Sequence, residues 1–112
     1  MYLFLCLTFM MFCWHAVADY SLQSDFIANA KNPNTEVGKV FWTHVLTGHA
    51  LVHAGGVFMI THSLTLGIAE FVLHWLTDLA KCNNRISLDT DQRIHYGSKI
   101  LWAIIASIVV LP

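Results

Sequence analysis

Titratable side chains recur at steps of four residues along several apolar segments of this 112-residue chain. The clearest series is Glu70, His74 and Asp78, which lies among leucine, valine, phenylalanine and tryptophan residues. Residues four apart are neighbours on one face of a helix, so each series predicts a polar stripe on an apolar helix. Two other segments carry related series: His15, Asp19 and Gln23 in one, and Asp91, His95 and Lys99 in the other.

The stripes combine imidazole with carboxylate, which is the ligand set of zinc and of non-haem iron or manganese sites. A carboxylate isolated in hydrocarbon costs roughly 2.5–3.5 kcal/mol, so such a stripe persists only where another group pairs with it. The sequence therefore predicts either a site for a divalent metal ion, with zinc among the candidates, or a network of hydrogen-bonded histidine and aspartate. Networks of the second kind also carry protons through membrane proteins.

The composition favours an integral membrane protein. Hydrophobic residues make up 56% of the chain and charged residues only 12%, about half the roughly 25% that is typical of soluble domains. A soluble chain of this length is too short to bury so much apolar surface. The net charge of −1 provides no basic field for nucleic acid. The three cysteines lack a CxxC pair, which argues against a disulfide framework or a cysteine zinc site.

The apolar segments predict one all-α domain over residues 1–112, an integral membrane four-helix up-and-down bundle. From Val40 to Ala69 the sequence has no acidic residue, lysine or arginine. This interval, extended to residue 80, is about twice as long as one membrane span, so it must fold back on itself. We place the turn near residues 61–63, with Gly55-Gly56 as the rival position. The predicted helices cover about 1–30, 37–60, 64–81 and 90–111.

Residues 1–18 allow two interpretations. The small residues Ala16-Val17-Ala18 before Asp19 are typical of a cleaved signal peptide, but no lysine or arginine precedes the apolar run. We favour a retained helix, because His15, Asp19 and Gln23 form a stripe that a leader would not need.

Positive residues predict the orientation in the membrane. Lysines lie between the first and second helices, and lysine and arginine flank the connection between the third and fourth. The turn between the second and third helices has neither. The positive-inside rule then places both charged connections in the cytoplasm and both termini outside. Lys31 and Asp25 are expected on a solvated interfacial face, and His62 is expected in a solvated outer turn.

Up-and-down threading brings the polar ends of the four helices to one membrane face. In the second helix we prefer His44, which lies about as far from the charged end of its helix as the other histidines do from theirs. His49 lies about 140° around the helix from it and is the second choice, with a depth that suggests a contact with Glu70. Asp19 and Asp78 are the candidate catalytic bases. The predicted metal ligands are His15, His44, His74, Asp78, Asp91 and His95, and the supporting positions are His49, Glu70, Gln23, Lys81 and Gln92.

The four tryptophans lie near helix ends or on predicted lipid-facing positions, so we expect them to be membrane-interface residues that need no cofactor. They are Trp14, Trp42, Trp75 and Trp102.

The order of these motifs resembles a family of small phage and bacterial membrane proteins known as domain of unknown function 3307. A histidine also opens the second helix in that pattern. The resemblance implies a multi-pass protein of the bacterial cytoplasmic membrane and supports the site residues, but it names no activity. The layout is also similar to that of membrane-bound metal-dependent hydrolases. The matching positions are His15, Asp19, Gln23 and Lys31, then His74, Asp78 and Lys81, then Asp91, Gln92 and His95.

We expect a membrane protein that binds a divalent metal ion at its cytoplasmic face and hydrolyses a lipid or a lipid-linked small molecule. The alternative is a non-enzymatic membrane protein that conducts protons or ions, or a phage accessory protein that acts on the host membrane. The motifs HExxH and GxSxG and Walker-type glycine loops do not occur, so the sequence leaves open whether the protein is an enzyme.

Overall fold

The computed structural model describes all 112 residues as an all-α protein without strands. The first helix continues beyond its α-helical part as a π-helical turn over Val17–Ser21. This confirms the predicted all-α class. The α-helices are α1 (Tyr2–Ala16), α2 (Asp25–Ala30), α3 (Gly38–Thr61), α4 (Leu64–Cys82) and α5 (Leu88–Ile108).

The four long helices form a ring in which α1 and α4 each lie between α3 and α5. The short α2 packs against α3 instead of prolonging α1. The helix predicted over about 1–30 is therefore broken, because the Ser24 side chain accepts a hydrogen bond from Ile27 N and starts a new helix. The turn between α3 and α4 lies at His62, whose φ is 55°, and Gly55-Gly56 lies inside α3.

Helices α1 and α3 approach closely at Gly56. A side-chain carbon at this position would lie only 1.9 Å from Trp14 Nε1. The indole also donates a hydrogen bond to Val52 O at 3.1 Å. Trp14 thus packs between two helices. This contact goes beyond the membrane-interface role that we expected for it. Glycine permits this approach because it has no side chain.

Gly56→Ala is expected to lower the free energy of unfolding by roughly 1–3 kcal/mol, since the new methyl group overlaps the indole. The neighbouring Gly55→Ala is the matched control, because a carbon added there meets nothing within 4 Å and alanine favours the helix. Thermal unfolding of the purified variants measures the difference. Equal losses of stability at both positions would contradict the close approach.

Polar side chains fill the interior of the bundle, and apolar side chains cover much of its surface. Among the 27 buried residues, 13 are polar or charged and 11 are hydrophobic. The contiguous apolar core contains only Leu7, Met11 and Ala103 as buried members. Large apolar side chains on every long helix are exposed, among them Phe9, Phe58, Leu76 and Ile104. This distribution is the reverse of that in soluble proteins, which bury apolar residues first.

One helix has both the length and the hydropathy of a membrane span. It is Tyr2–Ser21, with a mean hydropathy of 1.5. Signal sequences and buried core helices of soluble proteins have the same properties. Helices α3, α4 and α5 do not combine the length of a span with comparable hydropathy and few charged residues. Hydropathy therefore supports one candidate span and not the four that we predicted.

Candidate functional site

The polar interior is arranged in three tiers along the bundle axis. On α4 the tiers are marked by Glu70, His74 and Asp78, each one helical turn, roughly 6 Å, from the next. Helix α5 runs antiparallel and carries its polar residues in the reverse order. We call the tiers the ion-pair tier (Glu70, Lys99), the imidazole tier (His15, His49, His53, His74, His95) and the carboxylate tier (Asp78, Asp91).

The imidazole tier brings together histidines from all four long helices. The rings of His53, His74 and His95 form a stack, with centroid distances of 3.7 Å and 4.1 Å between successive rings. The ring centroid of His15 lies 5.2 Å from that of His53, and the ring centroid of His49 lies 5.2 Å from that of His74. All five residues are at most 7% exposed. The predicted convergence of histidines from several helices is thus present.

Asp19 is the carboxylate that three of these imidazoles contact. Its Oδ1 lies 2.9 Å from His53 Nε2 and 3.3 Å from His49 Nε2. Its Oδ2 lies 3.2 Å from His15 Nε2 and accepts a hydrogen bond from Gln92 Nε2 at 3.1 Å. Asp19 belongs to the π-helical turn after α1, and such turns frequently occur at functional sites.

Four side chains offer an arrangement suited to a metal ion. Ligand atoms of Asp19, His49, His53 and His74 all lie within 4.8 Å of one another. Ligands about 2.0–2.2 Å from a tetrahedral zinc ion lie roughly 3.5 Å apart, so a modest contraction would suffice. His49 Nε2 and both ring nitrogens of His74 are buried without a hydrogen-bond partner. An unsatisfied buried polar atom costs about 1–3 kcal/mol, and a metal ion would satisfy His49 Nε2 and one of the two His74 nitrogens.

A second group, Asp78, Asp91 and His95, also has the spacing of a metal site, but lysines already bind its carboxylates. Lys31 Nζ donates to Asp78 Oδ2 at 2.6 Å, and Lys81 Nζ donates to Asp78 Oδ1 at 2.8 Å. Lys81 Nζ also lies 3.6 Å from Asp91 Oδ2. Because ammonium groups occupy both oxygens of Asp78, the geometry disfavours Asp78 as a general base and this group as a cation site.

In the ion-pair tier, Lys99 Nζ donates to Glu70 Oε1 at 2.5 Å. Trp102 Nε1 donates to Glu70 Oε2 at 2.8 Å. The suggested contact between Glu70 and His49 does not occur, since these two donors occupy the carboxylate. Trp102 therefore stabilises a buried charge, a role beyond the membrane-interface position that we expected. Lys99 was missed as a site residue, although it continues the four-residue series of α5.

The family comparison covers nearly the whole bundle. The model of the family described as "Protein of unknown function (DUF3307)" matches residues 7–111. The chain belongs to the DUF3307 family. This confirms the family resemblance drawn from the motifs, and the matched range includes every residue of the three tiers. Comparison with curated proteins and with solved structures found no match.

In this DUF3307 protein, Lys31 is only 3% exposed, so the expected solvated position is wrong. The reason is the break after the π-helical turn, which lets α2 fold against α3 and direct the ammonium group to Asp78. Asp25 is exposed, in agreement with the expectation.

The structure does not bring His44 into the imidazole tier. His44 is exposed, whereas His49 and His53 are buried on the inner face of α3. Depth alone favoured His44, but the face of the helix decides which histidine reaches the interior. The four-residue spacing of His49 and His53 was the signal for that face. His62 is exposed at the turn, as expected.

The two glutamines of the predicted supporting set lie beside Asp19. Gln23 Nε2 donates to Asp19 O at 3.2 Å. The Gln92 amide group donates to both Asp19 Oδ2 and Asp91 Oδ2 at 3.1 Å, and its oxygen lies 3.2 Å from His15 Nε2. Gln92 therefore links the imidazole tier to the carboxylate tier.

Proposed function

We propose that this DUF3307 protein is a multi-pass membrane protein in which α1, α3, α4 and α5 cross the bilayer. The support is its exposed apolar surface around a polar interior, because lipid-facing residues must be apolar and ionisable residues in spans face the bundle interior. The shortest of α3, α4 and α5 has 19 residues, about 28 Å, which approaches the roughly 30 Å hydrocarbon core. The mean hydropathy of these helices is low because it includes the polar residues that face the bundle interior and would not contact lipid.

The proposed activity is metal-dependent hydrolysis of a lipid or lipid-linked substrate. The observation that carries this proposal is the convergence of Asp19 with His49, His53 and His74, whose ligand atoms lie within 4.8 Å of one another. A divalent ion held by these residues supplies a Lewis acid and an activated water. A site enclosed by an apolar exterior would receive its substrate from the bilayer, which favours a lipid-like molecule.

The neighbours of Asp19 fit a hydrolytic site. Gln92 binds Asp19 Oδ2 and orients the carboxylate, so that Oδ1 faces His49 and His53. Residues that orient a metal ligand raise its effectiveness. His15 Nε2 lies 3.2 Å from Asp19 Oδ2 and is placed to exchange a proton with this carboxylate during the reaction.

Metal analysis of the detergent-purified protein tests the proposal. We expect about one divalent ion per chain in the wild type and in His44→Ala, since the site supplies about four ligands and His44 lies outside it. His53→Ala removes a ligand and is expected to lose most of the metal. Hydrolysis of a fluorogenic phospholipid in vesicles should follow the metal content and stop on chelation.

Substoichiometric metal that does not change in His53→Ala would overturn the metal site. If His44→Ala lost as much metal as His53→Ala, the loss would not be specific to the residues of the proposed site. Stoichiometric metal without hydrolysis of any phospholipid or lipid-linked phosphate would overturn the hydrolase and leave a metal-binding membrane protein.

Proton transfer is the second candidate, and the charge balance of the core favours it. Three lysines, Lys31, Lys81 and Lys99, contact the carboxylates of the carboxylate and ion-pair tiers. Asp19 is contacted only by imidazoles and amides. Without a metal ion, a proton on one imidazole would balance Asp19, and clustered histidines relay protons. Proton flux into proteoliposomes that vanishes in Asp19→Asn, in metal-free protein, would support this function.

A further inference from the structure

An apolar cleft of about 260 Å³ lies between the chain around α2 and helix α3. His49 lines the cleft and is only 7% exposed, whereas Gly48 beside it is exposed. His49 Nε2 lies 3.3 Å from Asp19 Oδ1, so the cleft leads from the surface of the bundle to the imidazole tier. The other lining residues are apolar: Ala18, Leu22, Ile27, Val45 and Val52.

Two comparable apolar clefts lack this connection. One lies between α3 and α4 around Gly55, and the other lies beside α1 around Trp14. Neither is lined by a histidine or a carboxylate. Of these three clefts, only the one at Gly48 combines apolar walls with a residue of the candidate metal site. A surface that only packs against bulk lipid needs apolar walls but no contact with the candidate metal site. The combination therefore favours a specific chain site over general lipid packing.

We propose that the cleft at Gly48 binds one hydrocarbon chain of a lipid or lipid-linked substrate and places its polar, cleavable group beside His49 and Asp19. The volume of about 260 Å³ lies just below the roughly 300–1,000 Å³ of sites for drug-sized ligands, so it suits one chain segment. Apolar walls gain from burying methylene groups. The inference rests on the proposed hydrolase, whose metal ligands include His49 and Asp19.

The cleavage that this geometry supports is hydrolysis of an ester or phosphoester bond at the inner end of the cleft. One water is consumed, and its hydroxyl group bonds to the acyl carbon or the phosphorus atom. The bond to the departing oxygen breaks, and that oxygen receives the second proton of the water. The hydrocarbon chain takes no part in the chemistry and serves only to hold the reacting group in position.

Gly48→Leu tests the chain site, because Gly48 lines the cleft and a Cβ atom added there meets nothing within 4 Å, so the leucine side chain starts from open space. Gly55→Leu is the matched control, since it is the same change on the same helix with the same open space. The probe is a palmitic acid that carries a diazirine, crosslinked in detergent and mapped by mass spectrometry. We expect saturable labelling around Val45 and Val52 that unlabelled palmitic acid displaces.

In Gly48→Leu the saturable labelling is expected to fall by about tenfold or more, since leucine displaces several buried methylene groups of the chain. Gly55→Leu should retain it. Labelling that is non-saturable, or that is equal in both variants, would overturn the chain site. Metal content is measured on the same samples. A wild type that is free of metal but shows saturable labelling would refute the hydrolase and keep the chain site. A wild type that is loaded with metal but shows no saturable labelling would refute the chain site and keep the metal site of the hydrolase.

Discussion

Lys99→Met is expected to lower the free energy of unfolding by about 3–5 kcal/mol, because it leaves the Glu70 carboxylate buried without its counter-charge. Lys99 and Glu70 are both 0% exposed. Trp102 would still donate one hydrogen bond to Glu70 Oε2, but a neutral indole does not balance a negative charge. Denaturant unfolding of the purified protein in mixed micelles, followed by tryptophan fluorescence, measures the effect.

Two controls separate loss of the buried charge from loss of packing. The double variant Glu70→Gln with Lys99→Met has no buried charge at this tier and should recover most of the stability. Lys39→Met breaks an exposed ion pair, in which the Lys39 side chain is 59% exposed and the Glu36 side chain is 90% exposed. This change should alter the free energy of unfolding by no more than about 1 kcal/mol. If the double variant were as unstable as Lys99→Met, packing of the lysine stem would be the dominant contribution.

The tiers of the core were predictable from sequence because helical spacing fixes which side chains share a face. Glu70, His74 and Asp78 are buried on one face of α4, as their spacing predicts. Asp91 and His95 are likewise buried together on α5. Their pairing across helices was not predictable, since spacing within one helix says nothing about its rotation against its neighbours. The pair of Glu70 with Lys99 depends on that rotation.

Helix α3 shows where this limit matters most. Its apolar residues surround the helix, so they identify no inner face, and depth along the axis favoured His44. The buried histidines are His49 and His53, which share a face that only their mutual spacing indicated. For a helix that crosses the bilayer, as we propose for α3, polar residues are a better guide to the interior than apolar ones, because lipid and protein core both accept apolar side chains.

The position of Lys31 depends on tertiary structure, and helical periodicity gave no signal for it, although the family pattern includes this lysine. A lysine in a polar segment between two apolar helices is ordinarily solvated. Here the Ser24 cap starts α2 in a new direction, and α2 packs against α3. The lysine then reaches Asp78 on a helix 47 residues away in sequence. A contact of this range follows from chain reversal, which propensity and periodicity do not encode.

The two aspartates that the sequence proposed as bases are expected to respond in opposite ways to the same isosteric change. Asp19→Asn should weaken divalent-metal binding by about 100-fold or more, since it removes the only carboxylate of the candidate site. Its effect on stability should be smaller, about 1–3 kcal/mol, because the new amide group leaves one donor of His53 or Gln92 without an acceptor, but no lysine loses its partner. Isothermal titration with zinc after chelation, combined with thermal unfolding of the apoprotein, measures both quantities.

Asp78→Asn should instead keep metal affinity within about threefold of the wild type and lower stability by about 3–5 kcal/mol. The reason is that Lys31 and Lys81 both bind Asp78, so the change leaves two ammonium groups near a buried neutral amide. A metal site at Asp78, Asp91 and His95 would give the reverse pattern, with metal lost in Asp78→Asn and retained in Asp19→Asn. Metal lost equally in both variants would point to a shared dinuclear site, because His49 Nε2 lies only 3.7 Å from Asp78 Oδ2.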